Sequence, residues 1–156
     1  MQSRMQNPLA TLPDALKALL ALSGAVEKTG LPHKTMELVH LRASQINGCG
    51  VCCDLHPRIA KKHGETDERL HAVAAWRETP YFTPAERVAL AITEELTRLA
   101  DRPGALPDAL WLEARQHYDE KQLSGLIVTI GVINVFNRVN VANREMVDPA
   151  RKWDFL

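Results

Sequence analysis

The amino-acid sequence predicts a single all-α domain of about seven helices. Apolar residues recur along most of the chain at the three- and four-residue spacing of helices, and residues typical of helix starts and stops stand at the ends of these segments. The one β-branched run, residues 126–135, lies inside a longer segment without turn residues and therefore does not predict a strand. The 156 residues contain no repeat or flexible linker, so we expect residues 1–156 to form one helical bundle.

Four helices are predicted in the first half of the chain. They span about residues 13–28, 32–48, 49–63 and 66–77. A glycine closes each of the first three, as is common at the carboxyl end of a helix. The second and third helices are separated by almost nothing, which makes an antiparallel hairpin the natural arrangement for them.

The second half of the chain begins with the clearest helix start in the sequence. Thr83 and Glu86, with Pro84 at the first helical position, form the pattern of a capping box. Asp119 and Gln122 repeat the cap and its partner further on. The predicted elements are a helix at 83–100, a loop at 101–106, helices at 107–117 and 119–143, and an irregular tail after residue 148.

The last predicted helix is apolar around most of its circumference. Such a helix is either central in its own bundle or covered by a partner subunit, and we expect both. The sequence therefore predicts a homo-oligomer, a dimer, trimer or hexamer. Residues of this helix could reach the site of a neighbouring subunit; the candidates are Phe136, Asn137 and Arg138.

Charge and hydropathy exclude several classes of partner. Lys plus Arg and Asp plus Glu both total 19, so the net charge is zero, and a nucleic-acid binder that relies on a positive field is not expected. The most apolar run, residues 123–136, is shorter than the ~20 residues of a membrane span. The first residues lack the apolar core of a signal peptide. We expect a cytoplasmic protein that does not bind membranes.

The three cysteines are clustered and indicate a local site rather than a disulfide framework. Cys49 and Cys52 are separated by two residues at the predicted start of a helix, where unpaired amides and the helix dipole stabilise a thiolate. His56 lies on the same helical face as both, so its imidazole can move protons for them. Cys53 points to another face and is expected to act as a small buried apolar residue.

Glu37 can be placed by arithmetic on the helical hairpin. It stands about 15 Å before the turn at residues 47–48, and His56 stands about 12 Å after it, at ~1.5 Å per residue. The carboxylate and the imidazole are therefore expected at nearly the same level. Ser44 lies on the stripe of Glu37, where its hydroxyl could hold a bridging water or an incoming oxygen.

A zinc site is the main alternative for the cysteine cluster. Cys49, Cys52 and His56 are acceptable zinc ligands. A fourth ligand would have to be Cys53, His40 or Glu37. A structural zinc site usually takes two ligand pairs from separate elements, and the sequence offers one pair. The protein would then be a zinc-binding or non-catalytic helical interaction module.

The combined motif resembles a known family. Glu37, eleven residues, Cys49 and Cys52 separated by two residues, three further residues and His56 are similar to the signature of alkylhydroperoxidase D-like proteins, in the carboxymuconolactone decarboxylase superfamily. Ser44 before the cysteine pair also fits. The likeness covers residues 35–62 closely, and residues 134–144 are similar to the family's closing helix.

The resemblance implies an oligomeric helical peroxidase with a redox-active disulfide and no metal, haem or other cofactor. By analogy Cys52 is the peroxidatic cysteine and Cys49 the resolving one, while His56 and Glu37 relay the proton. Ser44 is a possible supporting residue. The implied partners are a peroxide substrate and an external reductant, a protein or a small thiol.

Two positions depart from the family's pattern. Val51 occupies a place before the second cysteine where the family often has histidine or tyrosine, so a side chain that could assist proton transfer is missing. Cys53 is an additional cysteine. A decarboxylase of the same superfamily is a further alternative, but the resemblance ties the cysteine pair to peroxide chemistry rather than to decarboxylation.

Overall fold

The computed structural model describes residues 2–100 and 106–150 of the chain. These residues form eight α-helices, one 3₁₀ helix and no strand, which confirms the predicted all-α fold. In chain order the elements are α1 (Pro8–Thr11), α2 (Pro13–Glu27), α3 (His33–Asn47), α4 (Gly50–Lys62), α5 (Asp67–Ala72), the 3₁₀ helix (Val73–Glu78), α6 (Pro84–Thr97), α7 (Asp108–His117) and α8 (Glu120–Asn143).

The sequence misplaced or missed several element boundaries. Helix α1 is a single turn, too short to show a period, and was not predicted. The predicted helix over 66–77 is interrupted, because Ala75 has φ −123° and ψ 35°, and its second half is the 3₁₀ helix. Helix α6 ends at Thr97 rather than near residue 100. Most of the predicted loop at 101–106 and the tail at 151–156 lie outside the described residues.

The two predicted capping boxes are present and begin the helices they were expected to begin. The Thr83 hydroxyl accepts a hydrogen bond from the Glu86 amide, and the Glu86 carboxylate accepts one from the Thr83 amide. Asp119 and Gln122 make the same reciprocal pair at the start of α8. These bonds satisfy amides that a helix start leaves unpaired, so both starts are defined by local sequence.

Helix α3 lies between two hydrophobic cores. The first core joins α3 to α2, α6, α7 and α8; its buried residues are Val26, Leu31, Met36, Val39, Val88, Ala89, Ile92, Ala114, Tyr118, Leu123, Leu126 and Ile130. The second joins α3 to α4, α5, α6 and the 3₁₀ helix; its buried residues are Leu38, Leu41, Ala60, Leu70, Val73, Trp76, Phe82 and Leu90. Apolar residues on both sides of α3 hold it in place, and with it any polar residue that it carries into the interior.

Helix α8 is buried on one side within the chain. Leu126 and Ile130 belong to the first core, whereas Ile127, Val135 and Val141 are exposed. The expected partner subunit would cover this exposed face, and the homo-oligomer stays a prediction.

By length and composition α8 is the one helix in the described ranges that could cross a membrane. The apolar run at residues 123–136 is by itself too short for this, but the helix that contains it is longer. Core helices often pass that test, and 44% of its most apolar window is buried inside the protein.

Candidate active site

The turn between α3 and α4 places the cysteine pair at a helix start. Gly48 ends α3 with φ +70°, a left-handed conformation that glycine adopts without strain. Cys49 is the N-cap of α4, and its sulfur accepts a hydrogen bond from the Cys52 amide at 3.4 Å. Cys49 and Cys52 form a disulfide, with their Cα atoms 5.4 Å apart. The two-residue spacing thus brings both sulfurs together at the amino end of a helix.

Both sulfurs are buried and contact an amide from α8. Cys49 is 1% exposed and Cys52 is 4% exposed. The Asn140 side-chain amide lies 3.4 Å from the Cys52 sulfur and 3.7 Å from the Cys49 sulfur, as a donor to both. An N–H group aimed at sulfur stabilises negative charge on it. Sequence reasoning missed Asn140 because the contact spans 88 residues, although the residue belongs to the segment that resembles the family's closing helix.

Glu37 and His56 meet across the α3–α4 hairpin, as the arithmetic predicted. Nδ1 of His56 lies 2.8 Å from Oε2 of Glu37, and both residues are buried. A carboxylate accepts but does not donate hydrogen bonds, so Nδ1 carries the proton. The tautomer that results has Nε2 as its basic nitrogen. Glu37 therefore orients His56 as a potential base.

His40 is a second partner of Glu37. Its Nδ1 lies 3.3 Å from Oε1 of Glu37, and the two residues are three positions apart on α3, where side chains are neighbours. Its ring centroid is also 4.5 Å from that of His56, at an angle of 41°. Both oxygens of Glu37 thus face imidazole N–H groups. The spacing of three residues on one helix allows the contact with Glu37, whereas the contact between the two imidazoles crosses the α3–α4 hairpin.

The surroundings favour the charged form of Glu37 and the neutral form of His56. Burial alone would raise the pKa of Glu37, but hydrogen bonds and positive charge from His40 and His56 outweigh it and hold the pKa well below its ordinary value. Burial, together with the like charge of His40, lowers the pKa of His56 despite its bond to Glu37. The favoured state at neutral pH is an ionised Glu37 beside a neutral His56, which can accept a proton.

Ser44 joins two helices through its hydroxyl, and its suggested supporting role stays a prediction. Its hydroxyl is fully buried, donates to the His40 carbonyl at 2.7 Å and accepts from the Asn137 amide at 3.0 Å. Asn137 also bonds Asn47 at 2.9 Å. The hydroxyl thus joins α3 to α8. Asn137 reaches this region within its own chain, and whether it also reaches a neighbouring subunit stays a prediction.

Within residues 2–100 and 106–150, the groups that cluster tightly enough to share a cation differ from the predicted zinc set. Glu37, His40 and His56 each offer a ligand atom within 4.8 Å of the others. In contrast, the sulfurs of Cys49 and Cys52 are bonded to one another. Cys53 is a half-buried free thiol beside the second core, where burial raises its pKa and keeps it protonated.

The fold and this site define a class: an all-helical protein with a disulfide at a helix start and a buried imidazole–carboxylate pair in the same hairpin. The chain belongs to the carboxymuconolactone decarboxylase family, whose model matches residues 13–95. The matched segment contains α3 and α4, with Glu37, His40, His56 and the cysteines, whereas Asn137 and Asn140 of α8 lie outside it. Within that superfamily the chain is of the alkylhydroperoxidase D-like type, as the sequence motif indicated.

Individual relatives support this placement. The uncharacterized protein YdfG of Bacillus subtilis is 35% identical over 130 residues, which cover 83% of this chain and 87% of YdfG. A crystal structure of an Agrobacterium tumefaciens protein of unknown function, suggested to be an antioxidant defence protein AhpD, has a TM-score of 0.86 and 33% identity, and covers 94% of this chain and 99% of that one. The alkyl hydroperoxide reductase AhpD of Hyphomonas neptunium is 39% identical over 62 residues, covering 40% of this chain and 32% of AhpD.

Proposed function

We propose that this protein is a thiol-dependent peroxidase that reduces organic hydroperoxides and cycles between a Cys49/Cys52 dithiol and the disulfide. The observation that carries the proposal is the disulfide at the start of α4 with the Glu37–His56 pair in the same hairpin. The named activity of the Hyphomonas relative, alkyl hydroperoxide reductase, agrees with it over the shared segment.

The oxidative half-reaction begins at Cys52. Nε2 of neutral His56 accepts the Cys52 thiol proton, and Glu37 stabilises the imidazolium that forms. The Asn140 amide stabilises the thiolate. The thiolate attacks the terminal peroxide oxygen, the O–O bond breaks, and Cys52 becomes a sulfenic acid. The departing alkoxide takes the proton from His56 and leaves as the alcohol.

Resolution and reduction complete the cycle. The Cys49 sulfur attacks the sulfenic sulfur, the S–O bond breaks, and the hydroxyl leaves as water with the Cys49 proton. An external dithiol, carried by a protein or a small molecule, then returns two electrons. Two protons must reach Cys49 and Cys52 for both thiols to be restored.

Thiol counting tests this cycle directly. Fully reduced protein, with three thiols per chain, is mixed with one equivalent of cumene hydroperoxide. We expect the count to fall to one, because Cys53 remains free, and one equivalent of alcohol to form. Loss of peroxide with all three thiols retained would contradict the proposal.

Two matched serine substitutions assign the reacting sulfur. Cys52→Ser should lower peroxide turnover by at least about a thousandfold, the scale on which loss of a nucleophile acts. Cys53→Ser, one residue away, should turn over peroxide like the unaltered protein. Equal activity of the two variants would remove Cys52 from its role. A zinc ion retained by the reduced cysteines would instead favour the zinc-binding alternative.

A further inference from the structure

A small cavity, lined by both apolar and polar residues, lies on the face of Glu37 that does not adjoin α4. It has a volume of about 50 Å³ and is lined from α2, α3 and α8. Glu37 and His40 contribute to its wall, together with His33 and Thr129. The cysteines and His56 do not line it. The carboxylate that orients His56 therefore has a second side that opens into a separate space.

Two of the residues that line this cavity carry a polar atom without a hydrogen-bond partner. Among the described residues, Thr129 Oγ1 and His33 Nδ1 are the buried side-chain atoms that lack a hydrogen-bond partner. Thr129 is 3% exposed, so bulk solvent does not reach it. Buried polar groups are rarely left unpaired, and ordered water is the usual partner where protein supplies none. A water molecule occupies about 30 Å³ in the liquid, so the cavity of about 50 Å³ has room for one or two.

His33 also lines a second, larger cavity of about 410 Å³, together with His63 and His117. Its ring stacks on that of His63, with centroids 3.9 Å apart and an angle of 18° between the planes. His33 thus lines both the larger, outer cavity and the smaller, inner one, and Glu37 also lines the inner one.

The proposed reaction needs a route by which protons enter the protein interior. The sulfurs, Glu37 and His56 are all buried, and a thiol reductant that attacks as a thiolate leaves its own protons in bulk solvent. Two protons must therefore enter the interior in each cycle. Protons cross buried polar regions along hydrogen-bonded water and side chains, because a bare charge in an apolar interior is too costly.

We propose that the cavity holds ordered water, bonded by Thr129 and His33, which connects Glu37 to solvent and supplies the protons that His56 passes to the sulfurs. This inference rests on the proposed peroxidase function. Thr129 and His33 are positioning residues in it, since neither reaches the sulfurs.

A measurement independent of activity tests the water itself. In Thr129→Val a methyl group replaces the hydroxyl at nearly constant volume. If water bonds the hydroxyl, the substitution should lower the urea midpoint of unfolding and remove electron density for water in a crystal structure. If the cavity is dry, removal of an unpaired hydroxyl should raise the midpoint, and the proposal is overturned. Thr93→Val is the matched control, because the buried Thr93 hydroxyl donates to the Ala89 carbonyl and adjoins neither cavity.

Turnover measurements test the proton route. His33→Ala should lower peroxide turnover about tenfold in dilute buffer, and added imidazole should restore most of the loss by carrying protons in its place. Thr129→Val should lower turnover by a similar factor and enlarge the solvent deuterium isotope effect, with KM unchanged. His117→Ala, which alters the outer cavity alone, should show neither loss nor rescue.

The outcomes separate this inference from the function on which it rests. A His33 variant that imidazole does not rescue, or one with full activity, overturns the proton route. If the unaltered protein does not consume peroxide, the proposed function fails. The stability and density measurements on Thr129→Val would still decide whether the cavity holds water.

Discussion

Two buried glutamates, Glu37 on α3 and Glu94 on α6, have the same exposure and different partners. Glu37 is 4% exposed and Glu94 is 5% exposed. Burial alone would raise the pKa of each carboxyl, and hydrogen-bonding partners lower both instead. Glu37 faces two histidines, whereas Glu94 faces three arginines and the Trp76 indole.

The partners decide what each carboxylate can do. Oε1 of Glu94 lies 2.6 Å from Arg42 and 2.9 Å from the Trp76 ring nitrogen, and Oε2 pairs with Arg77. Arginine stays protonated in proteins, so this cluster fixes charge and joins α3, α6 and the 3₁₀ helix. Histidine gains and loses a proton near neutral pH, so the carboxylate of Glu37 can support proton transfer. At similar exposure, Glu94 thus holds three elements together, whereas Glu37 can support proton transfer.

The largest effect should come from Glu94→Gln. The substitution leaves Arg42 and Arg77 without their carboxylate, and the free energy of unfolding should fall by about 3 kcal/mol, the lower end of the cost of breaking a buried ion pair. Urea unfolding measures it. Glu37→Gln, the matched change, should cost only about 1 kcal/mol, because neutral imidazoles tolerate an amide. Equal losses would mean that the two sites do not differ as described.

Peroxide turnover should rank the same two variants in the opposite order. Glu37→Gln should lower turnover about a hundredfold, since His56 loses the charge that stabilises its protonated form. Glu94→Gln, assayed where it is still folded, should retain turnover within about threefold, because no contact joins Glu94 to the cysteine pair or to His56. The measurement is steady-state reduction of cumene hydroperoxide. A similar loss in both variants would assign the effect to stability.

A smaller effect should appear in the pH dependence of stability. The pKa of His56 is lowered from 6.5, so the unfolded chain binds a proton there that the native chain does not, and stability should fall as the pH drops below about 6.5. The lowered pKa values of Glu37 and Glu94 add a further loss only below about 4.5.

Urea midpoints between pH 7.5 and 5 test this dependence. His56→Gln should flatten the curve above pH 5, whereas Glu94→Gln should leave its slope there unchanged. A slope that persists in His56→Gln would place the titrating group elsewhere.

The sequence predicted interactions between residues that are close along the chain and missed those between residues that are far apart. The capping boxes were predictable because all their atoms lie within four residues. The Glu37–His56 pair was predictable because one tight turn fixes the hairpin register. The bond between the Ser44 hydroxyl and Asn137, 93 residues away, was not predictable in this way, because only tertiary packing brings the two side chains together.

The sequence alone determined the helical class, the cysteine pair at a helix start and the carboxylate–imidazole pair behind it, because helical period and a short turn specify these without distant contacts. Tertiary structure alone decided that Asn140 meets the sulfurs, that Glu94 meets arginines rather than histidines, and that a cavity adjoins Glu37. These features depend on how α8 and α6 pack against α3. That packing is set by the shapes of many apolar side chains together, and no local pattern encodes it.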